Sequence, residues 1–429
     1  MQIKNVPLTK TLPLIAASLL AGCASWQGSH QTLPVGPSVG DQALSPFYRW
    51  PGTLPAQPGV MLRTEPMPSQ AEIPAASTAD RILYTSTDAR WRSGVVPVSG
   101  TLYLPKGQAP QGGWPLVAWA HGTLGVADRC APSWALHRPR DATYINAWLE
   151  NGFAVVATDF QGLGGPGPHP YLIWEAEGRS VLDSVRAALA AHGKTVANDV
   201  IITGQSQGSG SALGASRIAA SYAPDIRLRA TIATGVVSSF PAGPYQPAAV
   251  TAGRGSPAYF QILRLLGGAI PDGGPSVDSL ISEKGKPLLQ AAREGCNDEM
   301  RQVAQRDGVD ATNAFNQDYS KVGALMTEGP DMSLVRMPAP LFLGTGLADR
   351  TIPPRRQYAA AAALCAAGNP LVWKAYPGIT HNGIVNAAFR DELAFVKNVL
   401  AGTANESNCQ QIAEPGVPGA ALAGVPFNE

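Results

Sequence analysis

Gly204-Gln205-Ser206-Gln207-Gly208 sets a serine between two glycines in a Gly-x-Ser-x-Gly pattern. With a histidine and a carboxylate brought in from elsewhere, such a serine performs nucleophilic acyl transfer, the histidine taking the hydroxyl proton as Oγ attacks a carbonyl. The chain holds 46 glycines, so the pattern alone is a weak signal. Its surroundings strengthen it: Val200-Ile201-Ile202-Thr203 reads as a buried strand, and a small-residue helix runs from Ser206 to Tyr222. At a sharp strand-to-helix turn, bulk at 204 or 208 would strike adjacent backbone. The helix N-terminus also favours negative charge developing beside the serine. The competing reading is a Gly-rich turn with a spectator serine.

Six histidines are available as the base. His30 lies in a polar tether, and His137, His169 and His192 fall in loops or at a helix end. His121 ends an early core strand. His381, in Gly378-Ile379-Thr380-His381-Asn382-Gly383, lies between the last strand and the last helix, and is the expected base. The acid should end a strand between Ser206 and His381. Asp349 does so, in Gly346-Leu347-Ala348-Asp349, ahead of a helix opened by Pro354. Asp272, Asp278, Asp298, Asp310 and Asp318 sit in less constrained contexts, and Asp159 ends a strand but precedes the serine. Asp349 is expected to fix the histidine tautomer and stabilise imidazolium, with plain helix capping as its bland alternative. For an oxyanion, the Gln207 N–H follows the nucleophile directly. A second donor should come from His121-Gly122-Thr123, where Thr123 N–H is expected, His121 and Gly122 shape the loop, and Gly122 or Leu124 are the neighbouring registers. This chemistry needs neither metal nor cofactor.

The elements that must position these residues are visible as alternation. Residues 81–86 and 95–104 are strand-like, and continuously apolar strands follow at 115–120, 153–158, 200–203 and 229–234. Helical patterns at 144–150, 178–192 and 206–222 fall between them. Buried strands alternating with helices predict an α/β fold: a mostly parallel sheet covered by helices on both faces, with its strand-to-helix loops on one edge. The alternation stops near 235 and resumes at 339. The residues between carry helical pieces at 259–266, 287–294 and 315–326, and read as an inserted helical cap over the sheet edge. A strand at 339–343, a helix at 354–367, a strand at 371–376 and a helix at 384–400 complete the pattern. The expected organisation is therefore a signal segment at 1–22, a tether and arm at 23–79, and core at 80–234. A cap at 235–338, core at 339–400 and an irregular tail at 401–429 follow.

Composition bounds the class. The chain of 429 residues is 45% hydrophobic with 32 Lys+Arg against 31 Asp+Glu, which suits a large globular core and gives no field for nucleic acid. Lys4 and Lys10 precede a short apolar stretch from Leu12 to Ala21, too short to span a bilayer and expected to direct export. Leu20-Ala21-Gly22-Cys23 resembles a bacterial lipobox, which implies cleavage before Cys23 and its lipidation. Ala24, rather than Asp, implies the outer membrane for such a lipoprotein. Setting Cys23 aside leaves Cys130, Cys296, Cys365 and Cys409, an even number without C-x-x-C spacing; two disulfides are expected, and the sequence allows three pairings.

Taken together, Gly204–Gly208, Cys130-Ala131-Pro132-Ser133, the long insertion after 234, Gly346-Leu347-Ala348-Asp349 and Thr380-His381 carry a resemblance. The chain resembles the secretory lipase family of α/β-hydrolases, the Candida antarctica lipase A-like enzymes with bacterial homologues, over roughly residues 80–400. The resemblance implies Ser206, Asp349 and His381 as triad and disulfides Cys130–Cys296 and Cys365–Cys409. The family's yeast member has an acidic side chain in its oxyanion loop, whereas this chain has His121-Gly122-Thr123, more like bacterial esterases.

The resulting expectation is a monomeric serine carboxylesterase or lipase for uncharged acyl esters. It would work through an acyl-enzyme and be held at the membrane by Cys23. Tyr259 to Leu266 could line an acyl pocket or simply pack a core. The rivals are a serine peptidase or amidase of the same fold, in which Asp310 or Asp318 would hold a substrate amine, and a non-catalytic envelope binding protein.

Overall fold

A computed structural model describes residues 32–68, 73–237, 257–326 and 335–429. Cys23 and the export segment lie outside the described residues, as does His30. Nine strands form one sheet: β1 Met61–Pro66, β2 Ala76–Thr87, β3 Val95–Pro105, β4 Trp114–Ala120, β5 Ala154–Thr158, β6 Val196–Gln205, β7 Leu228–Thr234, β8 Leu341–Gly346 and β9 Leu371–Tyr376. Their spatial order is β1-β2-β3-β5-β4-β6-β7-β8-β9. The first three strands and the β3–β5 pair are antiparallel, and every pairing from β5 to β9 is parallel. The chain is thus an α/β-hydrolase fold.

Strand periodicity explains why the central strands read as unbroken apolar runs. Leu116, Ala118 and Ala120 of β4 face the same cluster as Val181 and Val185 of the helix Trp174–His192 and Ala212 and Ala215 of the helix Gln207–Tyr222. Val117 and Trp119 face the other way, onto Tyr144 and Trp148 of the helix Pro139–Glu150 and Phe395 of the helix Phe389–Leu400. A sheet covered on both faces needs apolar side chains at every position. From β4 the chain moves outward to β5 and then crosses back over to β6, so the carboxyl ends of β4 and β6 open a crevice of the kind where ligands bind in such sheets.

Between β7 and β8 stand the helices Ala258–Leu266, Val277–Leu280, Lys286–Glu294, Asn297–Asp307 and Tyr319–Ala324. Ile262, Leu263, Leu266, Leu288, Leu289 and Met300 form a cluster of their own there, joined by Val126 and Tyr171 from loops outside the insertion. Several local expectations need correction. β1 lies in the segment read as an arm, because an edge strand spelled Met-Leu-Arg-Thr-Glu-Pro buries none of its residues fully and shows no apolar alternation. The helix Asn297–Asp307 was missed because only Met300 on it is fully buried. The helix expected over 315–326 shrinks to Tyr319–Ala324, with Phe315 instead bridging to Ile281. The last helix is broken at Ala388 into Ile384–Ala387 and Phe389–Leu400.

Disulfides join Cys130 to Cys296 and Cys365 to Cys409, with Cα–Cα distances of 5.6 and 5.5 Å. The first ties the loop after β4 to the inserted helices. The second ties the helix Pro354–Ala366 to the tail after residue 402, which has no helix or strand.

One buried carboxyl makes the core sensitive to pH. Glu392 accepts the Tyr144 hydroxyl at 2.6 Å, and that hydroxyl lies 2.8 Å from Thr203 Oγ1 on β6. Burial raises the Glu392 pKa from 4.5 to about 8. Between those values the folded protein keeps a proton that the unfolded chain has released, so the stability it contributes is full below about pH 4.5 and is lost as pH rises through about 8. Glu392→Gln is expected to flatten that decline and raise unfolding free energy at pH 8 by on the order of 1–3 kcal/mol. Urea unfolding at pH 5 and pH 8 checks this; an unchanged slope in the variant would refute it.

Candidate active site

Ser206 follows the last residue of β6 and caps the helix Gln207–Tyr222 with φ 55° and ψ −122°, a left-handed conformation unusual for a residue with a side chain. The turn closes only because its neighbours lack side chains. A Cβ on Gly204 would lie 2.0 Å from the Gly208 carbonyl oxygen, and one on Gly208 would lie 1.8 Å from that of Ala120. The second contact presses the serine turn against the end of β4.

Across the same edge, His381 Nδ1 donates to Asp349 Oδ2 at 2.7 Å. Asp349 is fully buried, and its other bonds leave it no freedom to turn: Oδ1 accepts the N–H groups of Thr351 and Ile352, each at 2.8 Å, and Oδ2 also accepts Gln357 Nε2 at 2.8 Å. A carboxylate so satisfied orients the imidazole with Nε2 free to act. His381 lies against Gly235, where φ is +58° and a Cβ would come within 2.9 Å of the ring. Gln205 Nε2 donates to the His381 carbonyl at 2.9 Å. Ser206 and His381 line one cavity of about 510 Å³. Their side chains are not hydrogen-bonded to one another.

The loop after β4 supplies the facing wall. Gly122 packs beside the serine turn: a Cβ there would lie 2.7 Å from Gln205 Oε1 and in ordinary contact, 3.5 Å, with the Ser206 Cβ. Thr123 Oγ1 and the Tyr171 hydroxyl are 2.8 Å apart, which pins the loop to the segment before the helix Trp174–His192. Asn297 N–H donates to the Leu124 carbonyl at 2.7 Å beside the Cys130–Cys296 bridge. His121 is buried, its Nδ1 2.7 Å from the Gly122 carbonyl, and burial lowers its pKa from 6.5. It is a neutral brace for the loop. The N–H groups of Gln207 and Thr123 have no hydrogen-bond partner among the described residues, and both residues, with Ser206, line a narrower limb of about 120 Å³.

Beneath the turn lies a polar network that the sequence did not announce. Gln207 Nε2 donates to Glu177 Oε1 and His169 Nε2, each at 2.7 Å, while His169 Nδ1 donates to the Gln161 carbonyl at 2.9 Å. Ser211 Oγ donates to Glu177 Oε2 at 2.5 Å. Burial drives His169 down to about 3 and Glu177 up to about 7. His169 is therefore a neutral acceptor for Gln207 and not a second base. Asp159 holds Ser99 and Ser133 far from His381. The Asp310 carboxylate accepts the Thr312 N–H and hydroxyl. Among the described residues, no group of three or more His, Cys, Asp or Glu side chains could hold a metal ion.

A secretory lipase family model matches residues 135–373, more than half of the chain. The chain belongs to the secretory lipase family. This lipase is accordingly a carboxylic ester hydrolase, and with its two disulfides it is a secreted or extracellular protein. No helix among the described residues is long and apolar enough to cross a membrane. Among the solved structures that share the fold are the following two. Candida antarctica lipase A in its closed state is 18% identical over 87% of this chain and 89% of that chain, with TM-score 0.63. A ligand-bound rice cell wall degrading esterase LipA from Xanthomonas oryzae is 17% identical over 80% of this chain and 97% of that chain, with TM-score 0.56. A search of curated proteins finds no match.

The tail of the lipase reaches this site. Asn428 Oδ1 accepts the Thr380 N–H at 2.7 Å, and its Nδ2 donates to the carbonyls of Gly378 and Leu422 at 3.0 and 2.9 Å. Gly419 N–H donates to Leu347 and Leu422 N–H to Gly378. The tail thus clamps the loop that carries His381. Asn428→Ala removes two hydrogen bonds to that loop and one within the tail, and is expected to lower kcat/KM for ester substrates by about tenfold or more, with global stability changed far less. Kinetics beside denaturant unfolding would check this, and unchanged kcat/KM would refute the clamp.

Proposed function

We propose that the lipase hydrolyses carboxylic esters with Ser206 as nucleophile, His381 as general base and acid, and Asp349 as the group that orients the imidazole. The observation that carries this reading is the 2.7 Å His381–Asp349 hydrogen bond at the cavity that Ser206 enters from its strained turn. His381 Nε2 takes the Ser206 proton as Oγ attacks the ester carbonyl. The Gln207 and Thr123 N–H groups receive the oxyanion, and the imidazolium protonates the departing alcohol. A water molecule, activated by the same histidine, then releases the acid from the acyl-enzyme and regenerates Ser206.

Residues 235–338 serve in this reading as the cap over the site. The helix Ala258–Leu266 supports it by presenting two faces: Ile262, Leu263 and Leu266 are buried in the helical cluster, while Tyr259, Phe260 and Gln261 line the cavities beside Ser206. The peptidase reading finds less support, because neither Asp310 nor Asp318 lines these cavities. Lipidation of Cys23, and with it anchoring at the outer membrane of a monomeric enzyme, is proposed on the Leu20–Cys23 sequence.

Two measurements test these proposals. With p-nitrophenyl esters from acetate to palmitate, Ser206→Ala is expected to lower kcat by about 10⁴-fold or more while leaving the fold intact. Full activity in that variant would remove Ser206 from the mechanism. Mass spectrometry of the membrane-extracted N-terminus is expected to find a lipid-modified Cys23, and an unmodified peptide beginning elsewhere would end the anchoring proposal.

A further inference from the structure

The cavities around Ser206 are unexpectedly cationic for an uncharged ester. Arg138, Arg140, Arg301, Arg350 and Arg356 line the larger one, with Glu429 as its acidic side chain. Three of these arginines are occupied. Arg140 holds Asp141 at 2.8 Å and Asn382 at 2.9 Å, and Arg138 and Arg301 both reach Asp298. Arg350 and Arg356 have no side-chain hydrogen bond or ion pair with any described residue, and of the two only Arg356 borders both the larger cavity and the narrow limb.

The limb is where charge matters for specificity. His381 must hand a proton to the leaving alcohol, so the alcohol belongs on the His381 side, in the larger cavity. The acyl group then points away from His381, into the limb of about 120 Å³ that Gln207 and Thr123 border and His381 does not. Among the described residues, that limb has apolar walls from Leu172, Val237, Phe260 and Ile352, the two guanidinium side chains of Arg264 and Arg356, and no carboxylate. Its volume suits a short acyl chain. Arg356 is exposed and opens onto the cavity; desolvation by the surrounding protein lowers its pKa, and the neighbouring Arg264 guanidinium lowers it further. A guanidinium without a partner among the described residues, set beside an apolar limb and a second cation, is stabilised by an anion brought in from outside. The sequence carries a trace of this, since Arg355 and Arg356 stand in the first turn of the helix Pro354–Ala366, against its dipole and without an acidic neighbour there.

We propose that the acyl limb of this site is built for a terminal carboxylate held by Arg356, so that the preferred substrates are half-esters of short dicarboxylic acids. The inference rests on the Ser206 hydrolase reading. In the reaction, Ser206 Oγ displaces the alcohol, which leaves with the proton from His381. Water then cleaves the acyl-enzyme, releasing a dicarboxylic acid whose new carboxyl gives up its proton to solvent. The carboxylate on Arg356 takes no part in bond making and places the carbonyl between Ser206 and the oxyanion donors.

Monoethyl glutarate and ethyl valerate share the alcohol and the chain length and differ in a terminal carboxylate against a methyl group. Acid release by the full chain is expected to give a kcat/KM for monoethyl glutarate on the order of tenfold or more above that for ethyl valerate, the worth of one charge-assisted hydrogen bond. An apolar limb without a cation would give the opposite order, because an unpaired carboxylate resists desolvation. The readout in variants is the ratio of the two substrates. Arg356→Gln is expected to collapse or invert it, Arg356→Lys to keep part of it, and Lys194→Gln, the same charge loss at the far end of β6, to keep all of it. Ser206-dependent hydrolysis with ethyl valerate equal or preferred, or a ratio that survives Arg356→Gln, overturns the inference and leaves the hydrolase reading standing. Folded protein that cleaves neither ester, or Ser206→Ala that cleaves both, overturns the hydrolase reading and this inference with it.

Discussion

The close approach of Gly208 to the Ala120 carbonyl is the contact on which the remaining geometry depends. Ser206 keeps its left-handed conformation only while the helix Gln207–Tyr222 is pressed against the ends of β4 and β6. That pressure comes from burial on both faces of the sheet, where Leu116, Ala118 and Ile202 meet Ala212 and Ala215, and Val117 and Ile201 meet Tyr144 and Trp148. Local strain of about 1–3 kcal/mol persists when the surrounding packing over-determines the turn. The strand-to-helix switch that turns Ser206 toward the cavity also leaves the Gln207 N–H at a helix start, so one contact serves both the proposed nucleophile and a proposed oxyanion donor.

The other half of the site is held from a distance. Asp349 is immobilised by three donors from a single stretch of chain plus His381, whereas the histidine loop is gripped from behind by the tail through Asn428, Gly419 and Leu422. The Cys365–Cys409 bridge fixes where that tail begins its return, and the Cys130–Cys296 bridge ties the loop after β4 to the inserted helices. Each disulfide limits the freedom of a segment that has little regular structure, where hydrophobic burial alone gives weak restraint. The irregular segments touching the site are thus tied by bridges or by side-chain hydrogen bonds, and the regular ones by the core.

Polar burial around the turn follows a consistent logic. Glu177 and His169 titrate in opposite directions because burial penalises the charged form of each, and both are kept as hydrogen-bonding partners of Gln207. The contrast with Arg356 is physical. Glu177 and His169 are saturated by neighbours inside the protein, whereas the Arg356 guanidinium faces the cavity without one among the described residues.

The sequence by itself determined the fold class, the serine turn and the pairing of a late histidine with an acid at a strand end. These follow from local rules: a strand buried on both faces must be continuously apolar, and a sharp turn around Ser206 must have glycine at 204 and 208. It missed β1 and the helix Asn297–Asp307, whose partial burial leaves too little apolar pattern to read. Only the tertiary structure decided that Gln357 and Asn428 support Asp349 and the His381 loop, that Glu177 lies beneath Gln207, and that Arg356 borders the narrow limb beside Ser206. Those roles depend on contacts between residues remote in the chain. A lone glutamine, asparagine or arginine carries no periodicity from which such a contact can be inferred, because its partner is chosen by the packing of the whole sheet and not by its neighbours in sequence.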